Sequence, residues 1–129
     1  MIFVDTNVIM YAVGRAHPLR DEARSFFESA IAKDRSELCT SADVLQELLH
    51  AYIPVGRFET LDAALKLAES CFASVYPIDA EDVRAARLHA EGHRQLGARD
   101  LIHLAVCRRH SVKEIKTFDR GLAAAFERH

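Results

Sequence analysis

The chain has 129 residues, half of them apolar and 28% charged, with only 5 Gly and 3 Pro. That composition fills one core and leaves no room for extended disorder, and no apolar run approaches the ~18–20 residues a membrane span needs. The formal net charge is −2, from 17 basic and 19 acidic residues, which argues against a protein held to nucleic acid by charge alone. The opening Met1-Ile2-Phe3-Val4-Asp5 lacks the basic and hydrophobic regions of a secretory signal. Cys39, Cys71 and Cys107 are odd in number, widely spaced and set among apolar neighbours, so they read as core residues of a cytoplasmic protein.

The first element is a short buried strand, Ile2-Phe3-Val4, stopping at Asp5. Pro18 and the acidic pair Asp21 and Glu22 start a helix whose apolar positions Leu19, Ala23, Phe26, Phe27, Ala30 and Ile31 recur at helical spacing. Leu38-Cys39-Thr40 reads as a second strand, and a helix from about Asp43 follows. Its stripe is Val44, Leu45, Leu48, Leu49 and Tyr52, and Pro54-Val55-Gly56 ends it. Another amphipathic helix carries Leu61, Leu65, Ala68 and Phe72. Ser74 to Ile78 reads as a third strand, which Pro77 places near an edge. Residues from about Ala80 to Gln95 carry a weaker helical pattern. After Gly97, Asp100–Arg109 is a helix apolar almost all round, and so a buried one. Glu114 to Phe118 leads to Asp119 as a last strand, and Leu122 to Phe126 forms a terminal helix. Strands alternating with helices specify an α/β sandwich around a parallel sheet of about four strands.

Open parallel sheets bind ligands beyond the carboxyl ends of their strands. That rule selects acids: Asp5 after the first strand, Glu47 about one turn into the helix after the second, Asp100 at the start of the buried helix, and Asp119 after the last strand. Taken singly, Asp5 and Asp119 are equally well read as N-caps, and Glu47 flanks its apolar stripe as a surface residue would. Asp100 opens a nearly all-apolar helix, where an unpaired carboxylate is costly. Gathered on one rim they would raise one another's pKa, and a divalent cation is the natural neutraliser. Oxygen-only ligands suit Mg²⁺ or Mn²⁺, which activate water and stabilise the leaving oxygen of a phosphodiester, with two ions serving both ends.

The acids sit within four ordered motifs: Val4-Asp5-Thr6-Asn7, Thr40-Ser41-Ala42-Asp43-Val44-Leu45-Gln46-Glu47-Leu48, Ala98-Arg99-Asp100-Leu101-Ile102-His103-Leu104-Ala105 and Thr117-Phe118-Asp119-Arg120-Gly121-Leu122. This pattern resembles the PIN-domain ribonucleases, most closely the VapC-type toxins of type II toxin–antitoxin pairs, and it spans essentially the whole chain. The resemblance implies a single domain over residues 1–129 with a three-layer α/β/α fold. It implies a Mg²⁺- or Mn²⁺-dependent endoribonuclease using one or two ions and leaving 5′-phosphate ends. Asp5, Glu47, Asp100 and Asp119 match the family's acidic metal-binding residues, with Asp5 central and Asp119 peripheral. Thr6, Asn7 and Thr117 match polar positions that orient the acids. The resemblance also implies a homodimer, and inhibition by a small antitoxin that wraps the domain and places a basic residue in the acidic pocket.

Other signals are weaker. His89 and His93 sit four apart but lack the order of a zinc helix, and read as a solvated face. His103 and Cys107 read as packed residues beside the acids, and Ser41 has no histidine placed to make it a nucleophile. Of the arginines, Arg99, Arg108, Arg109 and Arg120 lie near the acidic motifs; Arg99 and Arg120 are the candidates for RNA contact. Two alternatives from other classes are a receiver-like phosphoacceptor signalling domain, which Asp79 and Lys116 imitate loosely, and a catalytically inactive PIN-fold binding module. A phosphatase of the haloacid dehalogenase type would need D-x-D where the chain has Asp5-Thr6-Asn7. Without the four acids committed to metal, 15 acidic residues remain against 17 basic ones, a balance of +2. On that count the charge no longer argues against an RNA substrate.

Overall fold

A computed structural model describes residues 1–33 and 36–127. Four short parallel strands make the sheet: β1 (Ile2–Val4), β2 (Leu38–Ser41), β3 (Ser74–Tyr76) and β4 (Glu114–Lys116), in the spatial order β3-β2-β1-β4. The register pairs Ile2 with both Leu38 and Glu114, so β1 is flanked on both sides. Phe3, Val4, Leu38 and Cys39 are accordingly buried, as strands covered on both faces must be. β3 lies at the edge, where Pro77 can follow it without costing a ladder hydrogen bond.

The helices are α1 (Thr6–Val13), α2 (Arg20–Ile31), α3 (Ala42–Tyr52), α4 (Phe58–Cys71), α5 (Ala80–His89), α6 (Ala98–Arg109) and α7 (Arg120–Glu127). The chain moves from β1 to β2 to β3 in one direction, through α1–α4, which pack on one another. It then returns across the sheet through α5 and α6, which pack together, to place β4 on the far side of β1. Right-handed crossovers in opposite directions put the two helix groups on opposite faces, giving three layers. The direction reverses at β1, so the carboxyl ends of β1 and β4 border the switch point where such sheets bind ligands.

Strands β3 and β4 end at Tyr76 and Lys116, two residues short of the expected Ile78 and Phe118, and two further segments differ more from the sequence reading. The whole of α1 was unread, because its Val8 to Val13 run is apolar on every side and rich in β-branched residues, leaving no stripe to detect. The helical segment from Ala80 stops at His89 and passes through a tight turn at Ala90–Gly92. His89 and His93 therefore do not share a helix face; His93 is buried, and His89 lies against Arg108 at 2.9 Å. The α5–α6 contact is fixed by a fork: Arg109 Nε and Nη2 donate to the two oxygens of buried Asp82 at 2.8 and 2.9 Å. Asp82 also accepts from the Asp79 N–H at 2.9 Å, capping α5. The Arg109 guanidinium holds the Asp82 carboxyl below its ordinary pKa against the opposing effect of burial.

Candidate active site

The chain crosses from strand to helix at Asp5, Ser41 and Asp119, and each of these side chains caps the helix that follows. Asp5 accepts from the Thr6 N–H at 2.8 Å, Ser41 from the Val44 N–H at 3.4 Å, and Asp119 from the Gly121 and Leu122 N–H groups at 2.9 and 3.1 Å. The N-cap and site readings of Asp5 and Asp119 are thus compatible, since each cap uses one carboxylate oxygen. The other oxygen of Asp5 is held from the residue after β4: the Thr117 hydroxyl donates to Asp5 Oδ2 at 2.7 Å. Thr117 Oγ1 in turn accepts from the Asp119 N–H at 3.0 Å and the Asn7 amide at 3.5 Å, while Asn7 Oδ1 accepts from the Phe118 N–H at 3.3 Å. Asn7 and Thr117 therefore tie the ends of β1 and β4 together around Asp5.

Asp100 rises from the first turn of α6 into this group. Burial, followed by the charges of Asp5, Asp119 and Glu47, pushes its carboxyl up to about 6, with His103 opposing. Asp100 thus feels the other three acids. Glu47, expected singly to be a surface residue, is turned inward with its side chain 18% exposed. Its Oε1 lies 3.3 Å from His103 Nε2 and 3.7 Å from Arg99 Nη1. Burial opposes its ionisation, but His103, the Thr6 hydroxyl and Arg99 outweigh that and lower its pKa.

His103 is 1% exposed, packs against Phe3, and stands between Glu47 and Asp5, 3.6 Å from Asp5 Oδ1. Burial works against its protonation, but Glu47, Asp5 and Asp43 prevail and raise its pKa. It is the counter-charge inside the acidic rim, packed as the sequence suggested yet facing the acids. Asp43 was not singled out from the sequence. It lies one helical turn before Glu47, and that i, i+4 spacing of two carboxylates on α3 was the available signal. The ligand atoms of Asp43, Glu47 and His103 come within 4.8 Å of one another, the tightest such group among the described residues. The four sequence-predicted acids do not close to that spacing, because His103 fills the space between Asp5 and Glu47. Asp43 Oδ2 is buried without a hydrogen-bond partner among the described residues, and its pKa is raised by burial first, then by Glu47. Unpartnered carboxylate oxygens and mutually repelling acids are a donor set that fits a hard divalent cation.

Of the arginines, Arg99 lies beside Glu47 and Arg120 opens α7 next to Asp119, both substantially exposed. Arg108 and Arg109 sit at the other end of α6, against His89 and Asp82, so their nearness to the acidic motifs in sequence does not carry over. The side chains that imitated a receiver have other partners, although the Lys116 carbonyl accepts from the Asp5 N–H at 3.0 Å. Lys116 binds Glu22 at 3.1 Å, and Asp79 pairs with Arg109 at 3.4 Å.

A family model of the PIN domain matches residues 2–127. The chain belongs to the PIN-domain family. Its curated relatives place it in the VapC branch. It is 56% identical over 126 residues, 98% of each chain, to Ribonuclease VapC23 of Mycobacterium tuberculosis. It is 38% identical to Ribonuclease VapC13 of the same organism, covering 94% of this chain and 92% of the relative. Among solved structures, a sarcin-ricin loop cleaving toxin, VapC20 of M. tuberculosis, superposes with a TM-score of 0.80 at 21% identity, over 97% of this chain and 95% of that one. A chain of a toxin–antitoxin complex from Klebsiella pneumoniae gives a TM-score of 0.67 at 16% identity, over 92% and 87%. At these identities the two structures attest the fold, the parallel four-stranded PIN sandwich described above.

Proposed function

We infer that this PIN domain is a metal-dependent endoribonuclease acting as the toxin of a toxin–antitoxin pair. The carrying observation is the convergence of Asp5, Glu47, Asp100 and Asp119 at the switch point, close enough to push Asp100 to about 6. Relatives named ribonucleases over nearly the full chain support the same reading. Asp5, Glu47 and Asp100 would hold Mg²⁺ or Mn²⁺, with Asp119 at a second ion or through water and Asp43 adding a further oxygen. The ion, when bound, supplies a polarised phosphodiester and an activated water for hydrolysis to a 5′-phosphate end. The protein's own part is positional: Thr6, Asn7 and Thr117 fix the Asp5 carboxylate, and His103 spaces Glu47 from Asp5. Arg99 and Arg120 stand exposed at the rim, where guanidinium groups can pair with the RNA backbone.

An antitoxin has a place to lie in the apolar groove of about 420 Å³ between α1, α2 and α4, lined by Val13, Phe27, Ile31 and Leu67. A homodimer is supported by Leu49, Ile53, Val55 and Phe58, which stand exposed at the α3–α4 corner. The proposed place of action is the cytoplasm, and the proposed domain spans residues 1–129; no helix of the described residues is long and apolar enough to cross a membrane. The test incubates the purified chain with structured RNA and Mg²⁺ or Mn²⁺, beside Asp5→Asn and Asp100→Asn. Metal-dependent cutting by the parent and its loss in both variants is expected. No cutting, or equal cutting by the variants, ends the nuclease reading.

A further inference from the structure

Beyond the acidic rim lies a cleft of about 340 Å³ between the end of α1, the α1–α2 turn, the end of α3 and Arg57. It is continuous with the rim through one residue. Asn7 lines the cleft and also bonds Thr117 and Phe118, just beyond β4, and Thr117 in turn holds Asp5. Tyr11 on the cleft wall meets the Phe118 ring edge-on at 5.5 Å.

The lining is unlike the apolar groove on α2. Tyr11 and His17 form a ring pair with centroids 4.4 Å apart, and His17 is exposed on the outer side of that pair. His17 Nδ1 accepts from the Leu19 N–H at 3.1 Å, which fixes the ring's place and leaves Nε2 as its donor. Arg57 lies over the Tyr52 ring at 5.7 Å and is steadied by Thr60 at 3.3 Å, so its guanidinium is held at the cleft. Arg15 is exposed and has no hydrogen bond or ion pair among the described residues. A backed aromatic face with two guanidinium groups beside it is the combination that single-stranded nucleic acid uses: a base stacks and the flanking phosphates meet cations.

We propose that this cleft is a nucleotide subsite, taking one unpaired RNA nucleotide next to the phosphate at the acidic rim, with its base on His17 and its phosphates at Arg15 and Arg57. The proposal rests on the nuclease reading for its substrate class and adds where the strand runs and why that substrate must be unpaired there. A base held in a duplex cannot present its face to His17.

The test uses binding, so that it stands apart from cleavage. An Asp5→Asn protein is titrated with fluorescently labelled oligo(U) and oligo(A), single-stranded and as the U·A duplex, over a range of salt. On that background, Arg15→Ala should weaken single-strand binding and reduce the slope of log K against log salt by about 0.7, the signature of one lost phosphate contact. His17→Asn retains an acceptor for the Leu19 N–H while removing the ring, and should weaken binding by about fivefold or more. Arg87→Ala, on α5 where the side chain pairs with Glu91, should change neither. In the cutting-competent parent, Arg15→Ala should raise KM with little change in kcat. Binding and salt slope unaltered by both cleft variants would overturn the subsite, as would an equal loss in Arg87→Ala or a preference for the duplex. A peptide rather than RNA as the natural occupant gives that first, unaltered result. If the parent cuts no RNA, the nuclease reading fails on its own assay, whatever the binding shows.

Discussion

Asp100 is the acid with the largest conflict between folding and function, and Asp100→Asn should stabilise the metal-free protein above neutral pH. The carboxyl is raised from an ordinary 3.8 to about 6, mainly by burial and then by Asp5. At 1.36 kcal/mol per pH unit, the gap corresponds to a ceiling of about 3 kcal/mol. Asp100 is only half-buried, and solvent screening reduces this to about 1–1.5 kcal/mol. The sign follows from the raised value. The folded state binds the proton more tightly than the unfolded one, so the stabilising contribution is complete below pH ~4 and is lost as pH rises through about 6. Asparagine mimics the protonated form at every pH. The variant and parent should therefore melt together near pH 4, while at pH 8 the variant should melt about 4–6 °C higher. Thermal melts in chelator at several pH values measure this. Mn²⁺ at pH 8 should close the gap from the parent's side, because the ion relieves repulsion that the variant no longer has. A variant no more stable than the parent at pH 8, or equally stabilised at pH 4, would refute the account of Asp100 as a repelled, uncompensated charge.

Thr117→Val should cut RNA at least tenfold more slowly with an unchanged circular dichroism spectrum, since only the hydroxyl that holds Asp5 and the Asp119 N–H is removed; Thr117→Ser should restore the rate. Failure of the serine to rescue would count against positioning. Asp82→Ala should cost about 3 kcal/mol in urea denaturation, because it opens the Arg109 fork and uncaps α5 together, and a loss below ~1 kcal/mol would show the pair to be incidental. His103→Gln should lower stability most at acidic pH. Its raised pKa makes its contribution complete below the ordinary histidine value and lost as pH rises through the folded one; urea titrations at pH 5 and 8 that give equal losses would contradict this.

Much of this was legible because it depends on local chemistry. A short apolar run that stops at an acid, as at Asp5, and an acid set just before a helix, as at Asp119, show in adjacent residues. Long stripes such as that of α3 and the all-round apolar α6 fix which segments are buried. What was illegible depends on partners far along the chain. Helix α1 is apolar on every side, so only its packing against α2, α3 and α4 gives it a direction. Glu47 flanks its stripe, and nothing local says that the flank faces α6 and His103. Asp43 becomes notable only once Glu47 is known to turn inward. Arg109 is near an acidic motif in sequence, whereas nine residues of helix carry it from Asp100 to the far end of α6, where it meets Asp82.

The bond between Thr117 and Asp5 spans 112 residues of sequence, and β4 pairs with the first strand of the chain. Asp5 and the hydroxyl that bonds it thus lie far apart in the order of synthesis. During synthesis the growing polypeptide carries Asp5, Glu47 and finally Asp100 without the strand that gathers them. Contacts of such long sequence separation form late and slowly. The rim is therefore completed only when β4, the last strand of the sheet to be synthesised, docks beside the first.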